Sequence, residues 1–435
     1  MKTPQEKTVS AVAWSQQPQA AAVADSITAL ATEYGEQLRR LGDFEAQHLE
    51  VLVARMLWNV LAEPGDRLAG RLIATYGAKT ALGVALQRLS WKQLCAQYPT
   101  LRQLEISPSS FKAGQERWAA RIKGSNLTAM FTAMLSSALT AKLQVLMPEA
   151  ASWPTQLDDL EDCAPLLLWY QGEAAALRRR SLAVVGARSS SEYGITVTEH
   201  FTRQAVAAGY MICSGAAFGI DAVAHRTALR AGGVTVAILA GGMSKPYPRA
   251  HLQLLAEIVA AGGAVVSEMP PHYAPTRWRF LQRNRLIAAL SEAVLVTEAS
   301  TRSGSINTAG HAAQLGRGLG AVPGNITSYG SQGCHKLLLE YSAELICSTA
   351  QLQQLLGFAG ANEAAPTDGD RDKSLHLRVL DALPLRGCVT SERVAAKAGI
   401  SSEECENALA ELELLGKVKL VENATGQSWK LHCEA

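Results

Sequence analysis

LAVVGARSSSEYGITVTEHFTRQAVAAGYMICSG, residues 182–215, decides the fold. Two short apolar runs, LAVVGA (182–187) and YMICS (210–214), bracket a helical segment, and glycine or serine punctuates each run. A run that is apolar at every position fits a strand covered on both faces, as in a parallel sheet flanked by helices. The rhythm continues downstream through TVAILA (235–240), AVVSEM (264–269), AVLVTEA (293–299), GLGAVP (318–323) and ELICS (344–348). Helices are predicted between these runs at 195–208, 220–231, 249–261, 278–290, 305–315 and 333–341. Such alternation predicts an α/β fold with a Rossmann-like, doubly wound parallel sheet as its core, over residues 146–358.

Outward from that core the texture changes. Residues 46–145 carry apolar side chains at spacings of three and four, such as Leu49, Leu52, Val53, Met56, Leu57 and Val60, and predict a helical domain. Within it EPGDRLAGRLIATYG (63–77) offers a Pro-Gly turn, Asp66 as N-cap and a helix end at Gly77, either as plain helical packing or like a SAM-like or helix-hairpin-helix unit. Residues 1–45, with Ala- and Gln-rich, helix-compatible stretches but no strong apolar face, predict a poorly ordered extension or a loose helix. Residues 146–180 read as a mixed connector ending in Arg178, Arg179 and Arg180. Beyond the core, 359–372 reads as a linker and 373–435 as a winged helix: three helices with a turn at 399–401, then KVKLVENATGQSWKL (417–431) as a two-stranded wing.

A chain of 435 residues exceeds one ordinary core, and 48% hydrophobic with 18% charged residues describes a globular protein. Its net charge of +2 is too small to announce a polyanionic partner, so any basic surface is local. The eight cysteines form no C-x-x-C pair, which argues against a disulfide framework or a zinc site. Neither a signal peptide nor an apolar run of spanning length is present, so a cytoplasmic protein without membrane contact is expected.

Ligands of an open parallel sheet bind beyond the carboxyl ends of its strands, where helix N-termini favour anions. Five loops occupy that position. VVGARSSSEYG supplies Gly186, Arg188 and Ser189; it lacks G-x-G-x-x-G, which disfavours a dinucleotide, and no cofactor is expected. CSGAAFGIDAVAH supplies Ser214, Gly215 and Gly219, with Asp221 as helix cap or ligand contact and His225 as packing or chemistry. AGGMSKPYPRAH supplies Lys245 and Arg249, with Tyr247 as base stacker or turn stiffener. Between Glu268 and Glu292 there is no acid, yet Arg277, Arg279, Arg283, Asn284 and Arg285 occur, which suggests a phosphate track, the alternative being a solvated helical face with salt bridges to other segments. EASTRSGSINTAGHAA places Arg302, Ser303 and Gly304 at a further strand-to-helix turn.

In order and spacing, VVGAR, SGAAFGIDAVAH, AGGMSKPYP, SEMPP, RNRLIAALS, TRSGSINTAGHAA and AVPG resemble the core of the DNA processing protein A (DprA/Smf) family, over roughly residues 165–357. TRWRFLQ departs from the Phe-Pro-x-Arg turn common in that family, and residues 1–45 have no counterpart there. The resemblance implies a homodimer that binds incoming single-stranded DNA during natural transformation, helps it past single-strand-binding protein and loads RecA recombinase. The loop residues named above are then its DNA contacts, with no catalytic residue and no metal ligand.

Two other readings compete. A phosphoribohydrolase-like enzyme on the same fold needs a carboxylate near SGSINTAGHAA, where Thr308 is followed by Ala309, Gly310 and His311; Glu298 is the single carboxylate nearby. A winged-helix transcription regulator needs a cationic reading helix, whereas residues 403–415 carry five glutamates and no Lys or Arg.

Overall fold

Alternate residues of the strand Ser181–Gly186 enter different cores: Leu182 and Val184 pack on one face of the sheet, Ala183 and Val185 on the other. That two-sided burial organises the computed structural model, which describes residues 20–87, 89–122, 126–357, 368–384, 387–423 and 426–432. Its strands are β1 (Gln144–Leu146), β2 (Leu168–Gly172), β3 (Ser181–Gly186), β4 (Met211–Ser214), β5 (Thr235–Leu239), β6 (Ala264–Ser267), β7 (Ala293–Glu298), β8 (Gly318–Ala321) and β9 (Glu344–Leu345). They form one sheet in the order β1-β2-β6-β5-β4-β3-β7-β8-β9. From β6 to β9 every neighbouring pair is parallel, and the strand order reverses direction between β3 and β7. The predicted strands and the helices between them lie within a few residues of their expected positions.

The sheet is not wholly parallel. The segment expected as a connector supplies β2, which adds antiparallel to β6, and β1, at the end of the expected helical domain, adds antiparallel to β2. The β6 partner of β2 lies far along the chain, so no local pattern announced that pairing. A second correction concerns residues 1–45. Residues 1–19 lie outside the described residues, but Ala20–Glu33 is a helix whose Val23 and Ile27 are fully buried, followed by a short helix Gly35–Arg39. These side chains, with Leu30, recur at spacings of four and three and pack into the helical layer.

The helix Leu49–Leu61 is buried almost all round and joins that layer to the sheet. Its two buried polar residues are both satisfied. Arg55 grips Glu149 through two nitrogens and donates to the Leu166 carbonyl at 2.6 Å. Asn59 accepts from Trp169 Nε1 at 3.0 Å and donates to the Glu268 carbonyl at 2.7 Å. Asp66 caps the following helix by accepting from Leu68 and Ala69, and that helix breaks at Gly77, whose φ of 73° suits glycine.

The chain divides into two compact units, 1–358 and 359–435. Residues 359–367 of the expected linker lie outside the described residues, and 368–372 open the helix Asp368–Ala382. With Ser391–Ala398, Ser402–Leu414 and the hairpin β10 (Val418–Asn423) and β11 (Gly426–Leu431), this helix makes a small unit with its own core around Val379, Val394 and Leu409. No helix among the described residues is long and apolar enough to cross a membrane.

Glu63 sits where the helical layer meets the helix Arg277–Leu290. Its carboxylate accepts from Arg279 at 2.8 and 3.0 Å and also from Arg121. Burial resists its ionisation, but the hydrogen bonds from Arg279 and Arg121 outweigh that effect and hold its carboxyl below the ordinary glutamate value. The stability it contributes is present above the unfolded-state value, about 4.3, and disappears as pH falls through the lower folded value. Denaturant unfolding of Glu63→Gln against wild type should therefore show a deficit at neutral pH that narrows as the solution is acidified through and below the ordinary glutamate range; a constant deficit from pH 7 to pH 3 contradicts this.

Candidate nucleic-acid interface

At the reversal between β3 and β7, the loops leaving the two strands diverge and leave a cleft of about 1190 Å³. Two helices begin there. Ser191 caps the helix Glu192–Ala207 by accepting from Gly194 N at 3.0 Å, and Ser303 caps Gly304–Gln314 by accepting from Ser305 N at 3.3 Å. Both N-termini carry partial positive charge.

Eight of the expected residues line this cleft: Gly186, Arg188, Ser189, Arg283, Asn284, Arg302, Ser303 and Gly304. Arg188 and Arg302 are exposed, as is Arg277, which lines it too. Among the described residues none of these three makes an ion pair. The Arg188 guanidinium lies over the Phe280 ring, 4.7 Å from its centroid, and Arg283 approaches the same ring at 5.9 Å. The Tyr247 ring meets Phe280 edge-on at 6.0 Å, and Tyr329 stands 62% exposed among the lining residues. Phe280 and Tyr329 were missed in the sequence. Phe280 was legible: Arg277, Phe280, Leu281, Asn284 and Ile287 all line the cleft and follow helical spacing. Tyr329, on an irregular loop, carried no such signal.

Beneath the cleft lies a buried layer. Arg283 donates to the Ile238 carbonyl at 2.6 Å, and a Cβ at Gly215 would stand 1.7 Å from its Nη1, so glycine there makes room for the guanidinium. Asp221 does not cap its own helix; its Oδ2 accepts from Gly215 N at 3.1 Å and Ala217 N at 3.3 Å. Burial raises the Asp221 carboxyl pKa despite the attraction of Arg283, and burial lowers that of Arg283 despite Asp221. Gly219 has φ of 75° and packs against the Ala187 and Arg188 carbonyls, which excludes a side chain. Ser214 donates to the Val184 carbonyl at 2.7 Å. Burial holds His225 neutral, with its pKa at about 3. Because the Thr235 hydroxyl donates to the Ile212 carbonyl at 2.7 Å, His225 Nδ1 donates to that hydroxyl, also at 2.7 Å. His225 is thus a packed residue.

The remaining expected residues lie elsewhere. Lys245 and Arg249 are exposed on the loop that carries Tyr247, outside the cleft lining. Arg279 and Arg285 do not belong to a free arginine track. Arg279 is held by Glu63, and Arg285, whose side chain is 3% exposed, forms two hydrogen bonds of 2.7 and 2.8 Å with Glu268. The segment has no acid of its own, but distant acids reach it. Glu298, the carboxylate that the enzyme reading singled out, lines the cleft and accepts from Ser191 N at 2.9 Å. Among the described residues no group of three or more His, Cys, Asp or Glu is placed to hold a metal.

A family profile described as DNA recombination-mediator protein A matches residues 144–357. A Mycobacterium tuberculosis chain named as a DNA processing protein DprA is 40% identical over 259 residues, 58% of this chain and 66% of that one. That match spans a little under two thirds of the relative's length. Protein Smf of Escherichia coli strain K12 is 38% identical over 276 residues, 62% of this chain and 73% of its own. DNA processing protein A from Streptococcus pneumoniae, a solved structure 29% identical, matches with a TM-score of 0.53 and covers 70% of this chain and 96% of that one.

Removing Arg285 strands a buried carboxylate, so Arg285→Ala should lower stability by about 3–5 kcal/mol. Arg302→Ala, in the exposed mouth of the cleft, should change it by less than about 0.5 kcal/mol. Urea midpoints of the two variants check this, and comparable losses in both contradict it.

Proposed function

Since this chain belongs to the DNA recombination-mediator protein A (DprA/Smf) family, we propose that it binds single-stranded DNA in the cleft between β3 and β7. One observation carries the reading: exposed guanidinium groups without acidic partners stand beside aromatic rings at the mouth of two helix N-termini. Arg188, Arg277 and Arg302 take phosphates, assisted by the N–H groups around Ser189, Ser303 and Gly304. Phe280, Tyr247 and Tyr329 offer faces to bases, and a single strand can present its bases where a duplex keeps them stacked and paired. Sequence specificity is absent, because phosphate donors and stacking rings do not read base edges. Arg283 sets the positive potential from below without itself reaching phosphate.

The family resemblance extends the proposal to DNA uptake and recombination: a cytoplasmic homodimer that receives the incoming strand, displaces single-strand-binding protein and loads RecA recombinase. Catalysis is not part of it. Of the carboxylates lining the cleft, Asp221 accepts two backbone N–H groups of the turn that leads into its own helix and Glu298 accepts one from the loop after β3, which supports anchoring roles rather than acid–base work.

The C-terminal unit is proposed as a winged helix that does not read duplex DNA. Its helix Ser402–Leu414 exposes Glu403, Glu404, Glu406, Glu411 and Glu413, which phosphates flanking a groove would repel. Residues 371–435 hold nine basic against ten acidic side chains. Their deletion should leave single-strand affinity within a few-fold of the full-length value; a loss beyond about tenfold, roughly 1.4 kcal/mol, in a folded variant contradicts the charge argument.

The cleft itself is tested by Arg188→Ala in titrations of oligo-dT at several salt concentrations. Affinity should fall by about tenfold or more, and the slope of log affinity against log salt should shrink by about one unit or less. Wild-type affinity and slope in a folded variant overturn the assignment.

A further inference from the structure

Glu298 does more than anchor a loop. It is the last residue of β7, only 6% exposed, and it holds the loop after β3 at both ends: Ala187 N donates to its backbone carbonyl at 2.7 Å and Ser191 N to its Oε2 at 2.9 Å. The carboxylate is thereby laid against the first turn of the helix Glu192–Ala207. A Cβ at Gly194, in that turn, would stand 1.9 Å from Oε2, and one at Gly330 would stand 2.6 Å from Oε1, so glycine at both positions makes room for it. Among the described residues Glu298 forms no ion pair. A carboxylate buried without a cation is costly, and here the N–H groups and dipole of the helix start compensate it.

The two helix starts that face the cleft are therefore not equivalent. The helix Glu192–Ala207 has Glu298 against its first turn and Glu192 within it, whereas Gly304–Gln314 has no acid in its first turn, and a Cβ at Gly304 would meet nothing within 4 Å. Beside that open start stands the exposed Arg302.

We propose that Glu298 decides where phosphate sits in the cleft: its carboxylate fills the anion position at the start of Glu192–Ala207 and leaves the start of Gly304–Gln314, with Arg302, to receive the phosphate. The proposal rests on the cleft reading and deepens it. Glu298 is a positioning residue that touches no nucleotide and acts by exclusion. A phosphate brought to the N–H groups around Ser191 would meet a like charge at close range in a partly buried setting, where such repulsion is strong. At Gly304–Gln314 the same dipole is uncompensated by any acid of its first turn, so the attraction remains. One charge carried by the protein thus sets the register in which a strand enters.

Wild-type protein, Glu298→Gln, Arg302→Ala and the double variant are titrated with oligo-dT at several salt concentrations, and thermal unfolding checks that each is folded. Glutamine keeps an oxygen for Ser191 N while removing the charge; Glu298→Ala carries the same comparison if Glu298→Gln does not fold. Glu298→Gln should bind about threefold or more tightly than wild type, with a steeper dependence of log affinity on log salt, because a further phosphate is held. Arg302→Ala should weaken binding. Adding Glu298→Gln to it should raise affinity by a larger factor than in the wild-type background, since the vacated helix start substitutes for the weakened one. Unchanged or weaker binding by a folded Glu298→Gln, as a purely structural role requires, overturns the proposal. So does an equal gain in both backgrounds, which is the mark of general charge repulsion rather than of an occupied helix start. Arg188→Ala, titrated alongside, separates these outcomes from failure of the cleft: wild-type affinity in that variant means that the cleft reading itself is wrong.

Discussion

The buried ion pair between Arg285 and Glu268 holds the molecule's two layers in register. Glu268 follows β6 at the carboxyl end of the sheet, and Arg285 projects from the helix Arg277–Leu290. The same arginine donates through Nε to the Cys163 carbonyl at 3.0 Å, and the Glu268 backbone carbonyl receives Asn59 from the helical layer. Strand, helix and N-terminal layer therefore meet at one charge pair that is sealed from water and fully hydrogen-bonded, the condition under which such a pair is tolerated. One wall of the cleft is an adjoining face of that helix. Its aim depends on the anchor behind it.

A division of labour among arginines follows. Arg285 and Arg279 are consumed by structure, Arg283 is buried beneath the floor, and Arg188, Arg277 and Arg302 face solvent. These side chains are chemically identical, and burial with a local acid is what separates them. Carboxylates in the cleft undergo a similar sorting: Asp221 and Glu298 are turned toward backbone N–H groups, so the accessible wall stays cationic despite two acids in its lining.

Much of this was legible before any coordinates. Strands β3 to β8 are apolar on both faces and punctuated by Gly or Ser, and the loops at their ends could be named because parallel sheets put their sites there. Less legible was whatever depends on distant pairing. β2 belongs to the sheet through β6, almost a hundred residues later, and a stretch reading LWYQG gives no hint of it. The acid that claims Arg279 lies 216 positions away, and the one that claims Arg285 lies 17 away, both outside any helical i,i+4 window. Local charge counting therefore overestimated the free arginines. The packing of the helix from Ala20 was hidden for a different reason: its polar face is Ala-rich, which lowers the contrast of an apolar stripe that is present at Val23, Ile27 and Leu30.

The cleft is bounded by loops from β3 and β7, strands that are hydrogen-bonded neighbours although Leu182 and its partner Ala293 are far apart in the chain. Three strands and their helices intervene, stacked on the other side of β3. The opening between the loops is a product of closing that long circuit, a contact of high sequence separation with a correspondingly large loop-closure entropy. A nascent chain that has emerged only as far as β6 already has Arg188, Ser189 and the glycines of the second loop, but no second wall to set against them. The cleft is then a property of the completed sheet, because its second wall is in place only once β7 lies beside β3.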